Sequence, residues 1–201
     1  MTDQEPTPSA QVRRQQVTDA RAMRALAHPL RVAVLEAMRR DGEITATEAA
    51  ERLGESPGNM SWHLQTLAKY GFVEEAGTGR GRRRPWRLTS ESHSFDTGTD
   101  DAETATAGEA LERTIVDRAH AQLREWWSRR ASYPRKWRRA AFMTNSVTYL
   151  TADELAGVLD EIQAIHDRYA ERDKSGQRPA GALPVRLHAR GHPLAPTPSG
   201  N

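Results

Sequence analysis

Apolar residues recur at helical spacing through the first half of the chain, and glycine or proline punctuates each run. Ala22, Met23, Leu26 and Ala27 fall on one face of a helix predicted over 19–27, with Thr18 as its cap. His28-Pro29 restarts the chain. Proline suits a first helical position, where its missing N–H would have no partner anyway. Leu30, Val34, Leu35 and Met38 carry that second helix over 29–40, until Asp41-Gly42 ends it. Thr45-Ala46-Thr47-Glu48 has the spacing of a capping box, in which the threonine accepts from the backbone at Glu48 and the carboxylate reaches back. It opens a short helix over 46–53 that Gly54 stops. Ser56 and Pro57 then cap and start another, over 57–70. A short helix, a tight glycine-containing turn and a second helix make a helix-turn-helix.

The helix over 57–70 has two unlike sides. Met60, Leu64 and Leu67 form one apolar stripe facing a core, while Gly58, Trp62, Gln65 and Lys69 lie opposite, with Asn59 and Ser61 on the flanks. It contains no acid, which suits a helix entering a negatively charged groove. After Gly71, residues 72–76 and 85–89 have strand character. The loop between them holds three glycines together with Arg80, Arg82, Arg83 and Arg84. This predicts a β-hairpin with a cationic tip, a wing. The expected fold is therefore mainly α with a small β-hairpin wing: a winged helix-turn-helix followed by C-terminal dimerisation helices.

The same pattern divides the chain into a flexible tail over 1–17, a DNA-binding domain over 18–90, a linker over 91–107, a helical dimerisation or effector region over 108–173, and a disordered tail over 174–201. In the fourth segment, helices are expected over 108–130 and 152–172, the latter opened by a second capping box at Thr151-Ala152-Asp153-Glu154. Their apolar faces need cover, and a second copy of the chain is the expected one, through Leu111, Ile115, Leu123, Leu155, Leu159 and Ile162. Between them, residues 124–139 hold six arginines, a lysine, three tryptophans and a tyrosine against Glu125 alone. The favoured reading is a helix end and a strand with packed aromatics; a pocket for an anionic small-molecule effector comes second, and an added phosphate-binding patch is a third. Residues 142–150 are read as a further strand.

Charge as a whole adds little, since 29 basic and 27 acidic residues leave +2; distribution matters more than the sum. The chain has no cysteine, which rules out disulfides and thiolate metal sites. The first residues lack an apolar core of the kind a secretory signal needs, and no apolar run approaches the length of a membrane span. A cytoplasmic protein without membrane contact is expected.

Residues 25–89 resemble the winged-helix domain of ArsR-type bacterial repressors. The resemblance is carried by Ala25-Leu26-Ala27-His28-Pro29-Leu30-Arg31-Val32 at the entry to the second helix, by Ser61-Trp62-His63-Leu64-Gln65-Thr66-Leu67 in the recognition helix, and by Lys69-Tyr70-Gly71-Phe72-Val73 at the exit to the wing. It implies a homodimer bound to double-stranded DNA, with repression as the usual mode. Metal-sensing members place cysteines on the helix before the recognition helix, where this chain has Ala46-Thr47-Glu48-Ala49-Ala50. Asp117 and His120 sit one turn apart, but no second histidine follows at a suitable spacing. No metal or cofactor is expected.

In the major groove, short polar side chains read base edges. Asn59, Ser61 and Gln65 are the expected readers, with Gly58 permitting close approach and Trp62 against a thymine methyl or a sugar edge; interfacial packing is the other reading of Trp62. Thr45, Thr47 and Ser56, beside helix N-termini, are expected at phosphates. Lys69 shares the exposed side, and the four wing arginines are expected on the flanking backbone or in the minor groove. His63 and His28 are read as packing or capping residues. Winged helices also bind RNA or dock proteins, which is the alternative. An enzyme is a poor third, because the chain has no P-loop, no H-E-x-x-H and no cysteine to pair with a histidine.

Overall fold

The computed structural model describes residues 14–77, 84–90, 92–95, 99–170, 172 and 178–195. It divides into two units, Gln11–Arg138 and a second made of Met1–Ala10 with Arg139–Asn201.

In the first unit each helix begins where a side chain can satisfy its free N–H groups. Helix α1 (Ala20–Leu26) is capped by Asp19, whose carboxylate accepts from Arg21 N at 2.9 Å, one residue later than the expected Thr18. Helix α2 (Pro29–Asp41) is capped by the His28 ring and stopped at Gly42, whose φ of 86° is costly for any residue with a Cβ. Helix α3 (Ala46–Leu53) has the full capping box between Thr45 and Glu48, and Gly54 ends it in the left-handed conformation. Helix α4 (Pro57–Lys69) is capped by Ser56. Met60, Leu64 and Leu67 of α4 are fully buried with Met23, Val34, Ile44 and Phe72 in one core.

The wing strands are β3 (Val73–Glu75) and β4 (Pro85–Leu88), paired antiparallel with Val73 opposite Leu88 and Glu75 opposite Trp86. The loop tip at 78–83 lies outside the described residues. On the other edge of β4 runs a strand with no counterpart in the sequence reading, β2 (Ile44–Thr45), which pairs Ile44 with Trp86 and gives the sheet order β2-β4-β3. Two residues are too few to show an alternating pattern. A fully buried Ile44 beside Trp86 is what holds this strand in place.

Two corrections concern the segments flanking this domain. Residues 14–17, expected in a tail, form β1 (Arg14–Val17), which pairs in parallel with β5 (Ser92–Phe95), expected in a linker. Val17 is buried and Phe95 packs on the same core, so apolar contact explains the docking. Helix α5 (Ala102–Arg129) begins inside the expected linker as well. Asp101 caps it, accepting from Thr104 N at 2.8 Å, and the alanine-rich first turns favour helix without any long apolar side chain to signal it.

The cover of α5 is also corrected. Leu111 is 0% exposed, and Ala107, Leu111 and Ile115 pack into the core that holds α1 and α2. Polar bonds fix the docking at both ends. Arg24 of α1 pairs with Glu103, and Glu36 of α2 accepts from Arg118 Nε at 3.0 Å and from Gln122 Nε2 at 2.8 Å. Leu111 is therefore a core residue of one chain, not surface kept for a second copy, and Ile115 is half-buried against that core. Leu123, further along, is 38% exposed.

After α5 come a single 3-10 turn at Arg130–Ser132 and helix α6 (Arg135–Ala140), where a strand is expected from sequence. Proline at 134 suits the start of a helix rather than a strand interior. In the second unit, residues 142–150 form neither helix nor strand, and Phe142, Met143, Val147 and Tyr149 are exposed, so the further strand is absent there. With no neighbouring strand, its backbone has nothing to pair with. Helix α7 (Ala152–Ala170) follows, with Thr151 N donating to Glu154 Oε2 at 2.7 Å and Glu154 N to Thr151 Oγ1 at 3.2 Å. On it Leu159 is exposed, while Leu155 and Ile162 are half-buried. Residues 178–195 carry no helix or strand.

Candidate nucleic-acid interface

The two-sided character of α4 survives folding. With Met60, His63, Leu64 and Leu67 turned inward, Gly58, Trp62, Gln65 and Lys69 form a continuous exposed stripe on the opposite side, Asn59 is exposed beside it, and Ser61 is half-buried. A Cβ built on Gly58 would meet nothing within 4 Å, so the protein itself does not require glycine there. The position is open toward whatever approaches.

Four hydrogen bonds adjust the roles expected of the polar residues. Ser56 Oγ accepts from Asn59 N at 3.2 Å, which leaves its own proton to donate outward. Thr45 Oγ1 both accepts from Glu48 N and donates to Glu48 Oε2 at 2.9 Å, so its hydroxyl is committed inside the capping box. Thr45 is thus a capping residue rather than a free hydroxyl, whereas Thr47, in the first turn of α3, is exposed. Asn59 Nδ2 donates to Glu55 Oε2 at 2.8 Å, leaving its amide oxygen open. Glu55 is an acid at the edge of this surface that the sequence reading did not weigh; it lies just before α4, beside the positive end of the helix dipole.

Trp62 is 55% exposed and is held from behind. The Arg31 guanidinium lies 5.1 Å from its ring centre, and the His63 ring meets it edge-on at 4.8 Å. Arg31 is itself buried. It donates from Nε to His63 Nδ1 at 3.3 Å and from Nη1 to the carbonyl of Ala25. His28 lies against His63, with ring centres 4.7 Å apart, and its Nδ1 accepts from Leu30 N at 3.2 Å. Arg31 is the positioning residue that sequence reasoning missed. Its signal was present in the His28-Pro29-Leu30-Arg31 run, but only the fold brings it under α4.

Both imidazoles accept at Nδ1, so both are neutral there. Burial pushes the pKa of each below the ordinary value of 6.5; for His28 the neighbouring Arg31 adds to this, and for His63 both His28 and Arg31 do, with Glu55 opposing in each case. A base whose folded pKa lies below its unfolded one binds more protons when unfolded. Its stabilisation is complete above 6.5 and is lost as pH falls through the folded values. The thermal midpoint is expected to be level well above 6.5 and to fall as pH drops below it, with His63→Gln flattening the slope. An equally steep acid slope in that variant would remove the pair from the explanation.

The wing base is held by surface ion pairs, Arg87 with Glu74 at 2.8 Å and Arg84 with Glu75 at 3.0 Å. Arg84 is thus paired across the hairpin, while Arg80, Arg82 and Arg83 lie outside the described residues. Lys69, the one cation on α4, sits 5.7 Å from the Tyr70 ring centre. These two residues also line an open cavity of about 320 Å³ with Gln16, Val17, Thr18, Asp19 and Ala22. Among the described residues no group of three or more His, Asp or Glu is placed to hold a metal ion, and no helix is long and apolar enough to cross a membrane.

The chain matches no curated protein. Residues 26–76, from the last residue of α1 to just past β3, match the family model described as a helix-turn-helix domain, and this match supports a DNA-binding regulator.

Proposed function

We propose that this protein is a sequence-specific regulator of transcription that binds double-stranded DNA as an ArsR-type winged helix, acting as a repressor and as a homodimer. One observation carries the reading: α4 is capped, free of acid and sunk into the core by one stripe, while the stripe Gly58, Trp62, Gln65 and Lys69 stands exposed. The major groove admits one such helix. Gln65, Asn59 and Ser61 read base edges, Trp62 packs on a methyl or sugar edge, Ser56 and Thr47 bind phosphates, and the wing arginines follow the flanking backbone or minor groove. A second copy, docking through Leu123 on α5 and through Leu155, Leu159 and Ile162 on α7, places a second α4 about 34 Å away, one turn along a palindromic site.

Fragments of the host genome selected by the purified protein supply the operator for the test. Gln65→Ala is expected to relax sequence preference at one position by about 1–3 kcal/mol. Arg82, Arg83 and Arg84 changed together to Ala are expected to weaken binding to all duplexes and to lower the salt slope. Unchanged binding in both variants refutes the assigned contacts, and equal affinity for random RNA favours an RNA-binding module instead.

A further inference from the structure

Beyond α4 and the wing, the strongest uncompensated charge lies where α5 ends. From Arg124 to Arg138 stand six cations, Arg124, Arg129, Arg130, Arg135, Lys136 and Arg138, all exposed, against the single acid Glu125, a local balance of +5. Glu125 already accepts from Arg129 at 2.8 Å, one turn along the helix. None of the other five has a carboxylate partner among the described residues. Trp126 and Tyr133 pack with ring centres 4.7 Å apart, tying the turn after α5 back to the end of the helix. Trp127, next to them, is 57% exposed.

This surface sits on a stiff arm. Glu36 of α2 clamps α5 at Arg118 and Gln122. From Gln122 the helix runs on to Arg129, a further stretch of about 10 Å at 1.5 Å per residue. A lone phosphate would match only one or two of these cations. A duplex carries one negative charge per roughly 1.7 Å of axis, and its sugar edges offer apolar surface to an exposed indole. The domain that carries the arm also presents α4 to that partner.

We propose that the end of α5 and the turn into α6 form a second DNA-binding surface, which grips the phosphate backbone of the duplex outside the stretch read by α4. This rests on the DNA-binding reading above. It differs from α4 in being sequence-blind, and from the wing in requiring duplex beyond the operator.

The test compares the full chain with a variant carrying Arg130→Gln, Arg135→Gln, Lys136→Gln and Arg138→Gln, four exposed positions at which folding should be little changed. Binding is followed against salt on an operator-length duplex, on the same operator with flanking duplex, and on random duplex. On the flanked and random duplexes the slope of log affinity against log salt is expected to fall by up to about 3.6, at 0.9 per lost phosphate contact. The ranking of specific over random sequence should stay as it was. Trp127→Ala should lower affinity for the flanked duplex severalfold. Unchanged slopes, with Gln65→Ala still relaxing sequence preference, overturn this second surface and leave the α4 reading standing. A reduced slope in a protein that prefers no sequence supports the surface and overturns the α4 reading. Loss of binding to vesicles rich in anionic lipid, with duplex binding intact, or a Trp127→Ala effect confined to single strands, assigns the patch to another partner and also overturns the proposal.

Discussion

Replacing Leu111 by alanine is expected to lower the free energy of unfolding by about 2–5 kcal/mol, the range for deleting a fully buried leucine. Leu111 is 0% exposed in α5 and belongs to the cluster that holds Met23, Leu26, Met38 and Leu64. The loss should appear in denaturant titration as a lower midpoint. That drop should be the same over a wide range of protein concentration, because the contact lies within one chain. A drop that grows on dilution would instead place Leu111 between two copies. Leu159→Ala gives the contrast. It is exposed on α7, and its effect should appear in the oligomeric state rather than in the stability of the domain.

The second large effect is expected at Arg31. Its guanidinium donates to the carbonyl of Ala25 at the end of α1 and to His63 Nδ1 on α4, and it backs the exposed ring of Trp62. Arg31→Ala strands two buried acceptors, each at a cost of about 1–3 kcal/mol, and removes a cation–π contact of about 0.5–1 kcal/mol. A total near 2–4 kcal/mol is expected once partial relaxation is allowed for. Lysine should restore little, because a compact ammonium cannot serve both acceptors and the ring in one geometry. The acid slope should become shallower but persist, since burial, the larger cause of the low histidine pKa values, stays in place. Wild-type stability in Arg31→Ala would show that α1, α2 and α4 are held together without it.

These two residues also mark how far the amino-acid sequence could be read. Helix limits were legible wherever a cap and a stop are neighbours in the chain: Thr45 with Glu48, Ser56 with Pro57, and Gly54 and Gly42 at the ends. The exposed stripe of α4 was legible for the same reason, because a 3.6-residue period needs only its own thirteen residues. Leu111 was visible as apolar but not as to its partner. A helical stripe looks the same whether α1 or a second copy covers it.

Local chemistry, then, determined the capped helices, the paired wing strands and the side of α4 left exposed, since caps, glycine conformations and periodicity act over a few residues. The tertiary structure alone decided the parallel pairing of β1 with β5, the insertion of Ile44 beside Trp86, the docking of α5 and the bridge from Arg31 to His63. Each of these joins segments tens of residues apart, and buried area and hydrogen-bond geometry select such contacts only when the whole core closes around them.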